Sequence, residues 1–162
     1  MVYGSAKVAT YHRKTLGMEM NFHIIHSAAE AVAGRLNLVN CIEEDVKVEL
    51  GKATREAGLA AYAALESATE ALRAGEIDVL VTAPICKSTI QSDDFHFAGH
   101  TEYLKDRIGD GAEPLMVLTN SLMRVALVTT HLPVKDIAAH LSQVILGRSA
   151  LGRVFGMFGV TS

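Results

Sequence analysis

Residues 54–84 constrain the fold more than any other stretch of this chain. From Thr54 to Ala74 the apolar positions Ala57, Ala60, Ala61, Ala64, Leu65, Ala68, Ala71 and Leu72 recur every three or four residues, which is the period of one helix face. Most of them are alanine, so the spacing predicts a helix over 54–74 whose face of small residues lies close against a sheet. Gly75 supplies its stop. Asp78 to Thr82 then reads Asp-Val-Leu-Val-Thr, an apolar run of the kind found in strands covered on both faces. Pro84 forbids its continuation. Helix, short turn, buried strand and polar loop together form the repeating piece of a parallel α/β sheet.

The rest of the chain fits that plan. Val2-Tyr3 reads as a strand ending at Gly4, and Ser5 is placed to cap a helix from Ala6 to Leu16 with Gly17 as its stop. Asn21 to Ile25 and the alternating stretch Arg35 to Ile42 are predicted strands. Thr101 to Ile108 is a short predicted helix. Leu115–Thr119 and Arg124–Thr129 are two strands joined by Asn120-Ser121-Leu122-Met123, a link short enough for an antiparallel hairpin. Ser142 opens a last predicted helix with Phe155 and Phe158 on its apolar face. The expected fold class is α/β, a three-layer α/β/α arrangement with a mixed sheet, with residues 1–162 as one unit.

Composition narrows the function classes. The chain has 162 residues, 49% of them hydrophobic, and a net charge of −3. That is enough chain for a sizeable core and too apolar for a disordered segment. A near-neutral balance leaves no electrostatic footprint for nucleic acid, and no apolar run reaches the roughly 18 residues that span a bilayer. The opening Met-Val-Tyr-Gly-Ser has no signal-peptide order. Two cysteines, Cys41 and Cys86, make no disulfide framework. The expected compartment is therefore the cytoplasm.

Ligand sites in α/β proteins lie beyond the carboxyl ends of strands. Three polar segments occupy such places: Thr82-Ala83-Pro84-Ile85-Cys86-Lys87-Ser88, Phe97-Ala98-Gly99-His100-Thr101-Glu102, and Thr129-Thr130-His131-Leu132-Pro133. Lys87 is either a point charge for a phosphate or a solvated lysine. In the second segment Gly99 allows close approach of a ligand, and Thr101 is placed to cap a helix whose free N–H groups favour an anion. There His100 is either a donor to a phosphate or incidental to a capping turn. His131, directly after an apolar strand, is either a metal ligand or a solvated histidine. Other signals fail. His96 and His100 are four apart, but Gly99 lies between them and Phe97 replaces the glutamate of a helical zinc motif. Gly51-Lys52-Ala53-Thr54 lacks the upstream glycine of a phosphate loop, and no Gly-x-Gly-x-x-Gly occurs.

Taken together and in this order, Thr82-Ala83-Pro84 with Lys87, Gly99-His100-Thr101-Glu102 and Thr129-Thr130-His131-Leu132-Pro133 resemble the 4-hydroxythreonine-4-phosphate dehydrogenase family of vitamin B6 biosynthesis. Lys52, Glu56-Ala57-Gly58 and Ala60-Ala61-Tyr62 are similar to that family's long helix and its lead-in. The likeness is tightest over residues 50–141. It implies the fold of isocitrate and isopropylmalate dehydrogenases, of which this chain would be a middle part. It implies oxidation of the secondary alcohol of 4-phosphohydroxy-L-threonine with NAD, followed by loss of carbon dioxide to give 3-amino-2-oxopropyl phosphate. It implies a divalent metal, zinc with magnesium or cobalt as alternatives, that polarises the alcohol oxygen. By position, His100 and Thr101 would contact substrate, His131 would bind the metal, and Lys87 would be a loop or phosphate contact. A homodimer is expected, with no nucleic-acid or membrane partner.

The chain departs from the family's pattern. The glycine-rich opening motif is missing, as are the later histidines of the metal site and most of the NAD site. Ala83, Cys86 and Ser88 replace the commoner Gly, His and Gly. Two further readings stay open. One is a dehydrogenase for a related phosphorylated four-carbon acid, such as a threonate or erythronate phosphate. The other is a non-catalytic truncated piece of the family.

Overall fold

The computed structural model describes residues 1–112, 114–127, 129 and 132–139. The chain divides into two compact units, residues 1–113 and 114–162, and each is described by itself.

The first unit is α/β. Strand β1 (Val2–Gly4) leads into helix α1 (Ala6–Thr15), followed by β2 (Phe22–Ile25), a 3-10 turn at Ala28–Glu30 and β3 (Leu36–Asn40). The three strands form a parallel sheet in the order β1-β3-β2, with Val2 opposite Leu38 and Ile24 opposite the same Leu38 on the other side. The middle strand is the buried one, with Asn37, Leu38 and Val39 all covered. Polar side chains fix the ends. The Ser5 Oγ accepts the Val8 N–H at 3.4 Å, and the Asn40 Oδ1 accepts the Ala6 N–H at 2.9 Å. The end of β3 thus holds the start of α1. Gly17, expected as the stop of α1, sits at φ 60°, where only glycine is unstrained.

Helix α2 (Arg55–Arg73) is the frame of this unit. Thr54 caps it by accepting the Ala57 N–H at 3.2 Å, and Gly75 ends it at φ 73°. Its small-residue face is covered from Ala60 onward, while Ala57 in the first turn is exposed. Ala68 and Ala71 are buried, Ala60 and Ala64 are half-buried, and the helix packs on β1. Two short helices follow, α3 (Lys87–Ile90) and α4 (His100–Ile108), and both pack on α2. A second core forms there from Leu65, Ile90, Phe95 and Tyr103.

One expectation fails. Asp78–Thr82 forms no strand, and Val79 and Val81 are 73% and 88% exposed. The cause is the lack of a neighbour. A strand exists only as a member of a ladder, and β1 pairs with β3 along one edge while no strand among the described residues lies on its other edge.

In the second unit β4 (Val117–Thr119) and β5 (Arg124–Ala126) form the expected antiparallel hairpin, with Leu118 opposite Val125. Asn120 closes its turn, its Oδ1 accepting the N–H groups of Leu122 and Met123 at 2.8 and 2.9 Å. The parallel ladders and the antiparallel ladder belong to two separate sheets. A 3-10 turn at Val134–Asp136 follows Pro133. The predicted helix after Ser142, with Phe155 and Phe158, lies outside the described residues.

Candidate functional site

Two of the three motif segments meet at one cavity of about 760 Å³. Thr82, Ala83, Pro84, Ile85 and His100 line it, with the alanine face of α2, Met1, and Val2 and Tyr3 of β1 completing the walls. The volume is within the usual range for a small-molecule site. Part of it is uncovered sheet edge, because Val79 and Val81 line the same space as β1.

His100 is the first residue of α4 and is half-buried. The expected cap is corrected here. Thr101 lies inside the helix as its second residue, and the N-cap is Gly99, in extended backbone at φ 178°. The Gly99 carbonyl accepts the Tyr103 N–H at 3.2 Å, so the cap lies two residues earlier than the motif suggests. No side chain caps this end, and its first N–H groups keep their affinity for an anion. A Cβ on Gly99 would meet the Glu102 carboxylate at 3.6 Å, an ordinary contact, so packing within the chain does not demand glycine.

Lys87 is exposed at the start of α3, and neither it nor Thr101 lines the cavity. Its neighbour Cys86 has its Sγ 3.3 Å from the Ser88 Oγ. Hydrogen bonds from Ser88 first, and then Thr89, pull this thiol down to about 7. The loop is seated by Gly58 of α2. A Cβ there would stand 1.9 Å from the Thr89 carbonyl oxygen, so α2 and α3 touch backbone to backbone. Glycine is obligatory at that crossing.

Behind His100, α4 is tied to α2 by a polar cluster the sequence reading missed. Tyr103 is fully buried, and its hydroxyl donates to the Glu66 carboxylate. The Arg107 Nη2 is 3.5 Å from the Glu66 Oε1 and donates to the Tyr62 hydroxyl at 3.3 Å. The Arg107 guanidinium also lies 5.7 Å from the Tyr103 ring centroid. Burial, and then the hydrogen bond to Glu66 and its charge, hold the Tyr103 phenol well above its ordinary value. The signal was available in the spacing. His100, Tyr103 and Arg107 are spaced three and four residues apart, and Tyr62 and Glu66 four apart, so each set shares a helix face.

His131 and Thr130 lie outside the described residues, and the third motif belongs to the second unit. Among the described residues no group of three or more His, Cys, Asp or Glu side chains is placed to hold a metal. These residues do not supply the donor set of a catalytic metal.

Comparison with known proteins fits this arrangement. The family profile described as pyridoxal phosphate biosynthetic protein PdxA matches residues 1–150. A 4-hydroxythreonine-4-phosphate dehydrogenase from Bacteroides thetaiotaomicron is 53% identical over 146 residues, covering 90% of this chain and 40% of that protein. The Sulfurihydrogenibium enzyme of the same name is 34% identical, over 88% of this chain and 44% of its own length. The crystal structure of a 4-hydroxythreonine-4-phosphate dehydrogenase from Burkholderia phymatum superposes with a TM-score of 0.70 at 30% identity, covering 84% of this chain and 42% of the other. This chain therefore spans less than half the length of these relatives. With the profile covering all but its last 12 residues, the chain belongs to the PdxA family of pyridoxal phosphate biosynthetic proteins.

Proposed function

We propose that this chain carries the substrate-facing part of a 4-hydroxythreonine-4-phosphate dehydrogenase. Such an enzyme oxidises the secondary alcohol of 4-phosphohydroxy-L-threonine with NAD, and the resulting β-keto acid loses carbon dioxide to leave 3-amino-2-oxopropyl phosphate. The observation that supports this reading is the meeting of Thr82–Ile85 and His100 at one cavity on a chain of this family. The imidazole of His100 and the uncapped N–H groups of α4 are suited to a phosphate dianion. Thr101 as a substrate contact and Lys87 as a positive charge at the loop are assigned from their motifs alone, since neither lines the cavity. His131 is assigned as a metal ligand from its motif alone. A divalent metal supplies Lewis-acid polarisation of the alcohol oxygen when bound, and no step is assigned to it here because the described residues do not assemble its site.

The proposal extends to a cytoplasmic homodimer. No described helix is long and apolar enough to cross a membrane. The hairpin of the second unit exposes Leu118, Leu122, Met123 and Val125, an apolar surface suited to a second copy.

The test is calorimetric titration of 4-phosphohydroxy-L-threonine, and in parallel of threonate and erythronate phosphates, into the 162-residue protein. Binding of the first that His100→Ala weakens at least about tenfold supports the reading. Preference for a four-carbon acid phosphate moves the assignment to that substrate. Binding of neither, or indifference to His100→Ala, overturns it. With NAD, zinc and substrate, the 162 residues on their own are expected to give no NADH absorbance. Turnover would show that they complete a site by themselves.

A further inference from the structure

We propose that Glu66 is a positioning residue for His100 and Thr101. It acts from α2 through Tyr103 and Arg107 to set the rotation and depth of α4. The inference rests on the functional reading above and deepens it.

The argument is geometric. His100, Tyr103 and Arg107 occupy one face of α4. His100 reaches the cavity from that face, while Tyr103, one turn on, is fully buried and Arg107, a further turn on, is half-buried. One carboxylate engages both of the latter two. Glu66 accepts from the Tyr103 hydroxyl through Oε2 and faces the Arg107 guanidinium through Oε1. The Arg107 donation to Tyr62, one turn before Glu66 on α2, adds a third tie. Two helices joined at a single point can still rotate about it. Ties at successive turns of both helices remove that freedom, and the residue one turn N-terminal to Tyr103 inherits the fixed orientation. The first turn of α4 has no side-chain cap of its own, so this cluster is the anchor nearest to His100 along its face. The packed Tyr103 ring holds the helix down, and the hydrogen bonds to the carboxylate add a directional tie that hydrophobic attraction by itself lacks.

The test uses the 15N-labelled 162-residue protein with variants Tyr103→Phe and Glu66→Gln, and Ile25→Val in the sheet as a control for lost stability. Two signals are read: the ring nitrogens of His100 through a pH titration, and the Thr101 and Glu102 amides during titration with inorganic phosphate. The expected result is that both cluster variants stay folded, shift the His100 ring signals and weaken phosphate binding about tenfold, while Ile25→Val leaves all of these unchanged. If the cluster variants keep the wild-type His100 signals and phosphate affinity, the proposal is overturned. It is overturned equally if both variants lose their dispersed amide signals, since that would make the cluster merely structural. If the wild-type protein binds no phosphate but the His100 signals still move in both variants, the positioning role stands and the functional reading falls.

Discussion

Helix α2 and the segment that follows it carry the same kind of sequence and end in opposite surroundings. Leu65, Ala68 and Ala71 on α2 are buried, while Val79 and Val81, a few residues on, face open space. Both stretches are apolar and both read as buried. The difference lies in what each needs to form. A helix satisfies its own backbone and then needs only something to lie against, which α2 finds in β1, α3 and α4. A strand leaves every backbone group for a neighbour to satisfy. Beside Ile77–Thr82 there is a cavity instead of a ladder, so the apolar run has the composition of a strand without its condition.

That contrast can be broken at several points. The largest effect is expected in the core where α2 meets α4. Phe95 is fully buried and its ring contacts Tyr62, Phe97 and Tyr103. Phe95→Ala should cost about 4 kcal/mol in urea denaturation. A loss below about 1 kcal/mol would mean that this core does not hold the unit together. Next comes Gly58→Ala. The methyl has no room against the Thr89 carbonyl, so α3 must move and the expected cost is about 2 kcal/mol. The two variants should differ in kind, since Phe95→Ala leaves a void and Gly58→Ala displaces the loop that carries Lys87. A neutral Gly58→Ala would separate α2 from α3.

On the other side of the comparison, Val79→Ser and Val81→Ser should each change stability by no more than about 0.5 kcal/mol, because neither side chain is buried. A loss of 2 kcal/mol or more would show that the segment is covered in solution. In that case the strand reading of Asp78–Thr82 would be right after all.

The same contrast explains what could be read in advance. Caps and stops were legible because they are local. Ser5, Thr54, Gly17 and Gly75 act within one turn of their own position, and all four act as expected. The hairpin was legible from its short link, and α2 from its period. The cap was misplaced by two residues, at Thr101 instead of Gly99, because the start of α4 depends on the extended Gly99 rather than on a side chain. The Glu66–Tyr103–Arg107 cluster was missed because its members lie 37 and 41 positions apart along the chain, and only the packing of α4 on α2 brings them together. Of the site, the sequence singled out three candidate segments. It could not show that Thr82–Ile85 and His100 line one cavity while Lys87 is exposed outside it.

The two cysteines carry the comparison to its smallest expected effect, which stability would not report. Cys41 lies at the end of the packed sheet, half-buried, and burial pushes its thiol up. Cys86 lies at the end of the uncovered segment, exposed, and hydrogen bonds from Ser88 and Thr89 pull its thiol down to about 7. The thiolate is the form that reacts with an alkylating agent, so a lowered thiol reacts at lower pH and a raised one needs higher pH. Iodoacetamide labelling of the folded protein, followed by mass spectrometry, should modify Cys86 with a rate that rises with pH and is half-maximal near pH 7. Cys41 should stay nearly unmodified there and react only above the ordinary thiol range. Ser88→Ala removes the larger cause of the shift, so the Cys86 midpoint should move upward while Cys41 is untouched. Equal labelling of the two cysteines at pH 7 would show that the loop after Pro84 is as covered as the sheet. A midpoint for Cys86 that ignores Ser88→Ala would show that the hydrogen bond from Ser88 does not set its reactivity.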